Sequence, residues 1–271
     1  VYCVDQRPGL GRSVTQMIDV LGHLGPDGQG IWTQEGIALG HLMLHTTPES
    51  LYEEQPLVSH DQGVVLTADA RIDNRDDLIR ALRLTETNGE PVTDSEIVLA
   101  AYRKWGTACP EHLFGDFAFA IWDVSKRRLF CARDPFGVRP FFFYHEPGRR
   151  FAFATQIKAL LQLEGVPDAL NEVKIAEHLM APVEEDVTRT YFEHIRSLAP
   201  AHSLTVKNND VQPQAYWQLD PQREVRLPTD EAYSQRFREL FREAVRARLR
   251  SAFPVGADRK STRLNSSHRL R

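Results

Sequence analysis

The chain has 271 residues, of which 42% are hydrophobic, so it can bury the core of one large domain or of one domain and part of another. Acidic and basic residues are mixed along most of its length and sum to a formal charge of −4, which argues against nucleic acid or an anionic membrane as a partner. No apolar run approaches the roughly 20 residues that span a bilayer, and no signal-peptide pattern is present, so the cytoplasm is the expected compartment.

The first predicted helix covers 13–23, where four apolar residues share one helical face. Ser13 and Gln16 have the spacing of a capping box at its start. The next four residues, Gly25-Pro26-Asp27-Gly28, are typical of a turn, since proline fixes φ and glycine tolerates positive φ. The sequence therefore predicts a helix followed by a tight turn.

Six short segments are rich in β-branched or aromatic residues and are predicted strands: 37–44, 63–68, 117–122, 128–132, 141–144 and 151–154. A capping box formed by Thr93 and Glu96 predicts the start of a helix, and another helix is predicted to begin at Asn171. Hairpin-like connections dominate 116–154, with helices before and after them. This order favours an α+β layered sandwich over a parallel α/β sheet.

The composition changes over 219–228, a polar stretch with two prolines that we interpret as a linker. An amphipathic helix is predicted from Thr229 to about Ser251, and its apolar stripe needs a partner surface. The residues from Asp258 onward lack apolar periodicity and resemble a translated sequencing-library adapter, so the natural sequence is expected to stop near Ala257.

Cysteines and histidines give no metal or disulfide pattern. The three cysteines are an odd number at unpatterned spacing, and we expect them to be small buried residues in a reducing compartment. The histidines near the turn lack metal-ligand spacing and are expected to be scaffold residues. These residues are Cys3, Cys109, Cys131, His23, His41 and His45.

Five motifs follow one another in a single order: Gly25-Pro26-Asp27-Gly28, Thr93-Asp94-Ser95-Glu96, Phe114-Gly115-Asp116-Phe117-Ala118-Phe119-Ala120, Arg133-Asp134-Pro135-Phe136-Gly137-Val138-Arg139-Pro140 and Ile157-Lys158-Ala159-Leu160. Together they resemble the asparagine synthetases. The resemblance implies an N-terminal-nucleophile hydrolase fold, an αββα four-layer sandwich with antiparallel sheets, followed by the first helix of a truncated α/β synthetase domain. The implied limits are a glutaminase-like domain over 1–218, a linker over 219–228, the start of the synthetase domain over 229–257 and a non-natural tail over 258–271.

The resemblance also implies a two-part chemistry. A cysteine at the mature N-terminus attacks the side-chain amide of glutamine, and in the second domain ATP adenylates a carboxylate that an amine then attacks. The nucleophile position is expected before Val1, and Cys3 falls inside the first strand, where it is not expected to act as the nucleophile. The phosphate loop is expected after Ala257. ATP and Mg are thus cofactors implied for the full-length enzyme, with none expected on the fragment.

Several glutamine-pocket positions depart from the family. Met43 stands where the family's His-x-Arg-Leu segment has the arginine that forks onto the substrate carboxylate, and a thioether cannot replace a guanidinium. The triplet Asp69-Ala70-Arg71 replaces Asn-Gly-Glu, which reverses the sign of charge at the oxyanion hole. Asp94 matches the aspartate that receives the substrate's amino group, although its place in a helix first turn explains it almost as well.

Three readings of function follow. The first is an amide-forming ligase with a degenerate glutaminase domain, whose altered pocket resembles that of the lasso-peptide cyclases. The second is an ordinary glutamine-hydrolysing asparagine synthetase, and the third is a noncatalytic domain as the chain stands. The substrate is expected to be a small-molecule or peptide carboxylate, while the sequence does not define the oligomeric state. Arg133, Asp134 and Arg139 are expected to form ion pairs that fix their turn.

Overall fold

The computed structural model describes residues 2–3, 9–86, 89–180, 186–208 and 210–256. The chain divides into two compact units. The first combines the residues up to Leu44 with Tyr52–Arg223, and the second combines His45–Leu51 with the residues from Glu224 onward. The domain limits inferred from the sequence stay predictions, and the predicted tail over 258–271 lies outside the described residues.

The first unit contains two antiparallel sheets with helices packed outside them. The described strands are β1 (Tyr2–Cys3), β2 (Gly28–Gln34), β3 (Ile37–Met43), β4 (Leu57–Val58), β5 (Val64–Ile72), β6 (Gly115–Asp123), β7 (Arg128–Arg133), β8 (Phe142–Glu146), β9 (Arg150–Ala154), β10 (Ile195–Ser197), β11 (His202–Lys207) and β12 (Asp210–Ala215). The first sheet has the strand order β10-β8-β9-β1-β3-β2 and the second the order β12-β11-β7-β6-β5-β4. The described helices are α1 (Leu10–Leu21), α2 (Arg75–Leu82), α3 (Asp94–Trp105), α4 (Ile157–Leu160), α5 (Glu172–Met180) and α6 (Asp230–Arg248).

Three apolar layers hold this unit together. One lies between the two sheets and includes Leu39 of β3, Ala120 of β6 and Phe151 of β9. A second lies between the second sheet and helices α2 and α3, and a third between the first sheet and helices α1 and α4. Side chains alternate between the two faces of a strand, so each sheet is covered on both sides. The predicted αββα sandwich is confirmed.

Helix starts show where local patterns succeed and fail. Helix α3 has the predicted capping box, because Thr93 Oγ1 accepts the Glu96 N–H at 3.3 Å and a Glu96 carboxylate oxygen accepts the Thr93 N–H at 2.7 Å. The capping box predicted at Ser13 is wrong. Helix α1 begins at Leu10, and the Ser13 N–H already donates to the Gly9 carbonyl at 3.2 Å, so the helix has formed before the predicted cap.

The second unit is built around α6. Thr229 caps this helix by accepting the Ala232 N–H at 3.2 Å, and Asp230 and Glu231 occupy its first turn, where its dipole favours negative charge. After the helix, Arg250 forms an ion pair of 3.2 Å with Glu49. No residue of α6 is buried, and its apolar stripe is exposed within the described chain. No described helix is long and apolar enough to cross a membrane.

Candidate functional site

The layer between the two sheets changes from apolar to polar toward one end. On β3, Ile37 and Leu39 face the inter-sheet core, and strand alternation places His41 and Met43 on the same face. On β5, Thr67 follows the buried core residues and contacts His41, whose Nδ1 lies 3.1 Å from the Thr67 hydroxyl oxygen. This polar end of the inter-sheet layer, at the carboxyl ends of β3 and β5, is the candidate site.

Asp69 lies on this face of β5 beside a cation from another motif. One of its carboxylate oxygens lies 3.3 Å from Nη1 of Arg139. Burial raises the pKa of Asp69, and the negative charges of Asp116 and Asp134 act in the same direction, whereas Arg139 lowers it. The side chain nevertheless keeps 38% of its surface open to solvent. Asp69 is therefore only partly buried, and solvent reaches its carboxylate.

The other two residues of the triplet point in opposite directions. Arg71 lies on the same face as Asp69 and pairs with Asp73 at 3.4 Å. Ala70 packs against the core beneath α2 and α3, on the opposite face of β5. The structure therefore brings Met43, Asp69 and Arg71 to one inter-sheet face.

Asp94 is buried in a charge cluster at the start of α3. Its Oδ1 accepts a hydrogen bond from the Arg75 guanidinium, and its Oδ2 accepts the Ile72 N–H at 3.1 Å. Its side chain is only 4% exposed. Beside it, Glu53 accepts the Ser95 N–H at 2.8 Å, and burial raises the pKa of Glu53. Asp94 thus serves both as a helix first-turn acid and as the partner of a buried arginine.

The turn after β7 is fixed by hydrogen bonds to the backbone. Asp134 is fully buried, and its carboxylate accepts the N–H groups of Phe136, Val138 and Arg139, each at 3.0 Å. Arg133 donates to the carbonyls of Gly137 and Arg139 at 2.6 and 2.7 Å. The expected ion pairs form only in part, because Arg139 pairs with Asp69 on β5, whereas backbone N–H groups occupy the carboxylate of Asp134.

Buried cysteines and histidines show no metal cluster. Cys109 and Cys131 are fully buried and free, and burial raises the pKa of both thiols, while the Cys3 side chain lies outside the described residues. Burial lowers the pKa of His41 to about 4. Within the described ranges, no group of three or more His, Cys, Asp or Glu side chains is placed to hold a metal ion.

Sequence reasoning missed three charged partners: Glu53 and Arg75 in the cluster around Asp94, and Arg139 as the partner of Asp69. Their partners are distant in the chain, and no periodicity or spacing connects them. The only local signal was the position of Arg139 in the same motif as Asp134. That signal predicted an ion pair but gave the wrong partner.

Comparison with known proteins agrees with this architecture. The sequence profile of the glutamine amidotransferase domain family matches residues 2–217. Glutamine-hydrolyzing asparagine synthetase 3 of Bacillus subtilis strain 168 is 30% identical over 246 residues, which are 90% of this chain and 39% of that protein. Amidase chyE of Penicillium rubens is 29% identical over 245 residues, or 88% of this chain and 35% of that protein. The chain thus spans at most about two fifths of the length of these two relatives.

A solved structure shares the fold. The glutamine phosphoribosylpyrophosphate amidotransferase from B. subtilis, in complex with ADP and GMP, superposes with a TM-score of 0.54 at 17% identity, covering 77% of this chain and 47% of that one. The asparagine-synthetase resemblance inferred from the five motifs is confirmed by the sequence relatives. Because the family profile covers most of its length, the chain belongs to the glutamine amidotransferase domain family.

Proposed function

We propose that the whole protein is an asparagine-synthetase-like, ATP-dependent amide-forming ligase whose glutaminase domain no longer hydrolyses glutamine. The ligase class is supported by the similarity to asparagine synthetase 3 of B. subtilis. The loss of glutaminase activity rests on one observation, the carboxylate of Asp69 on the inter-sheet face beside Arg139. The family resemblance gives this position to an asparagine that helps to form the oxyanion hole.

The charge at this position opposes the chemistry of amide hydrolysis. The tetrahedral intermediate of that reaction develops a negative oxygen, which neutral hydrogen-bond donors stabilise. Loss of one such donor typically costs about 10²–10³ in turnover, and a carboxylate in its place adds repulsion. Arg139 compensates part of the charge of Asp69, but its own guanidinium is already engaged by that carboxylate.

Two further positions support the same conclusion. The resemblance assigns Asp94 to the ammonium group of glutamine, yet its carboxylate is buried and bonded to Arg75 and to the Ile72 N–H. A substrate ammonium would have to displace a buried guanidinium. Met43 is 7% exposed and contributes a thioether where the family has the arginine that binds the substrate carboxylate.

The proposed reaction takes its amine from a source other than glutamine. A small-molecule or peptide carboxylate would be adenylated, and ammonia or an amine of the substrate itself would displace the adenylate, as the likeness of the pocket to lasso-peptide cyclases suggests. The phosphate loop expected after Ala257 falls outside the described residues. ATP and Mg are therefore proposed only for the whole protein.

The alternative is a glutamine-hydrolysing asparagine synthetase that makes asparagine from aspartate, ATP and glutamine. The observation in its favour is the name of the 30% identical B. subtilis relative. Such an enzyme would need a cysteine upstream of Val1 and a pocket that recognises glutamine without the residues that the family uses.

The deciding experiment compares nitrogen sources for the full-length protein. We expect no glutamate release from glutamine, whereas ammonium with a suitable carboxylate supports ATP-dependent release of pyrophosphate. Stoichiometric glutamate release that depends on ATP and aspartate would instead establish the alternative. The 271-residue chain serves as a further arm, and we expect it neither to hydrolyse glutamine nor to bind ATP tightly, in accord with a noncatalytic role for this part alone. Either activity at enzyme-like rates would contradict that expectation.

A further inference from the structure

A polar groove lies on the second sheet, at the end of its strands opposite the candidate site. Arg128 begins β7 and contributes to this groove, whereas the candidate site lies near Arg133 at the end of the same strand. The groove also lies on the other face of the sheet. Leu204 and Val206 of β11 face the inter-sheet core, so Thr205 and Lys207 face the helix side.

The cavity in this groove has a volume of about 720 Å³ and is lined entirely by polar residues. Three of them are cationic and one is acidic, and the others offer hydroxyl or amide groups. Strand β12, which forms one wall, is largely exposed, so solutes can reach the cavity. The lining residues are Ser125, Lys126, Arg128, Thr205, Lys207, Asn208, Asp210 and Gln212.

Two of the cations stand directly opposite each other. Arg128 on β7 is the register partner of Lys207 on β11, and both side chains are on the helix side of the sheet. Like charges at such positions destabilise a sheet unless a counter-charge lies between them. In the described part of the chain, Lys207 makes no ion pair or side-chain hydrogen bond, and Arg128 makes no ion pair, its guanidinium donating only to the Tyr102 hydroxyl at 2.8 Å.

The acids nearest to this pair lie on its two outer sides and make no ion pair of 4 Å or less with either cation in the described structure. Asp123, the other register partner of Arg128, accepts hydrogen bonds from Lys126 Nζ and the Ser125 hydroxyl, both at 2.7 Å. Asp210, opposite Lys207, accepts from the side-chain amide of Gln212 at 2.7 Å. Asp123 and Asp210 thus flank the two cations, while no carboxylate lies between Arg128 and Lys207 in the described structure.

We propose that this groove binds a small oxyanion, a phosphate or carboxylate group, between Arg128 and Lys207. Guanidinium and ammonium groups accompanied by hydroxyl and amide donors are the groups that proteins use for such anions. An anion at this position would convert the repulsion between the opposed cations into two attractions. The site is independent of the proposed ligase activity, since it lies at the other end and on the other face of the second sheet.

The test titrates inorganic phosphate, and separately acetate, into the 271-residue chain by calorimetry at constant ionic strength, with chloride as the reference ion. We expect saturable phosphate binding that Lys207→Gln weakens by about tenfold, the effect of losing one charge-assisted hydrogen bond. Arg12→Gln, which removes the same charge from an exposed position on α1, should leave binding unchanged. Saturation by phosphate but not acetate would identify a phosphate-bearing ligand, and the reverse would identify a carboxylate.

A second measurement covers the case of weak binding. In buffer without phosphate, Lys207→Gln should change the Tm little, because it removes both the repulsion from Arg128 and the attraction to Asp210. Phosphate should raise the Tm of the parent chain but not that of Lys207→Gln. The proposal is overturned if neither phosphate nor acetate acts differently from chloride, or if the effect of the binding anion is the same in the parent chain and in Lys207→Gln.

Discussion

The carboxylate of Asp69 on β5 and the guanidinium of Arg139, just after the turn that follows β7, lie 3.3 Å apart. This contact joins two motifs that are far apart in the chain. It also gives the acid at the candidate site a partner from the scaffold. The charge of Asp69 is therefore partly compensated by a neighbouring cation.

Asp69→Asn should increase stability at neutral pH, because it removes a carboxylate whose charged form is disfavoured by burial. The gain should be at most about 1 kcal/mol, since the site is about one-third exposed and the pair with Arg139 is lost. Burial raises the pKa of Asp69, so the protonated side chain contributes its full stability below the unfolded pKa of about 4. That contribution is lost as the pH rises through the folded pKa. A chain with asparagine at this position does not lose stability in this way. Urea unfolding across pH should show an advantage of the variant that grows with pH. Asp168→Asn, at an exposed position, should show no such trend, and a constant difference for both variants would contradict the assignment.

Arg75→Ala should destabilise the chain by about 3–5 kcal/mol, because it leaves the carboxylate of Asp94 buried without its charged partner. Denaturant unfolding measures the loss. The control is Arg80→Ala, which breaks the pair with Asp77, whose two side chains are each 75% exposed. That change should stay within about 0.5 kcal/mol. Equal losses in the two variants would show that Arg75 and Asp94 are not a buried pair in solution.

Gly25→Ala should cost about 1–3 kcal/mol through steric overlap. A Cβ at this position would lie 2.5 Å from Leu42 Cβ and 2.7 Å from the Leu42 carbonyl carbon, so the backbone of β3 would have to move. Gly22→Ala is the matched control. Gly22 has a helical φ of −50° and no heavy atom within 4 Å of an added Cβ, so alanine there should be neutral or slightly stabilising. Thermal unfolding of both variants separates close packing from a general need for glycine in this segment.

His41→Gln should make the chain less sensitive to mild acid. The folded state holds His41 neutral, with a pKa of about 4, whereas the unfolded chain binds a proton below about pH 6.5. The stability that depends on neutral His41 is present above pH 6.5 and is lost as the pH falls toward 4. The variant should therefore lose less unfolding free energy than the parent between about pH 7 and about pH 5. An unchanged slope would mean that His41 titrates normally in the folded chain.

The sequence predicted the parts of the fold that have strong local patterns. The capping box at Thr93, the alternation in 117–122 and the amphipathic α6 all formed as expected. Strand β11 was missed although Leu204 and Val206 alternate with polar residues, a pattern of period two that could have identified it.

The candidate site could be predicted only in part. Motif alignment located Met43, Asp69 and Arg71, and strand alternation places them on one face. The partners of the charged residues could not be predicted, because ion pairs such as those of Asp69 and Asp94 depend on the packing of elements that are distant in the chain. A pattern within one segment carries no information about such contacts.

The position of β1 in the first sheet has a consequence for the order of folding. This strand precedes the other described strands in sequence but lies between β3 and β9, with Tyr2 opposite both Ile37 and Phe151. Short hairpins also occur, β2–β3 and β8–β9 in the first sheet and β6–β7 in the second, and these parts can form from local contacts. Non-local pairings are slow because a long loop must close first. We expect the β6–β7 hairpin to form early during synthesis, and the centre of the first sheet to remain open until β9 has left the ribosome.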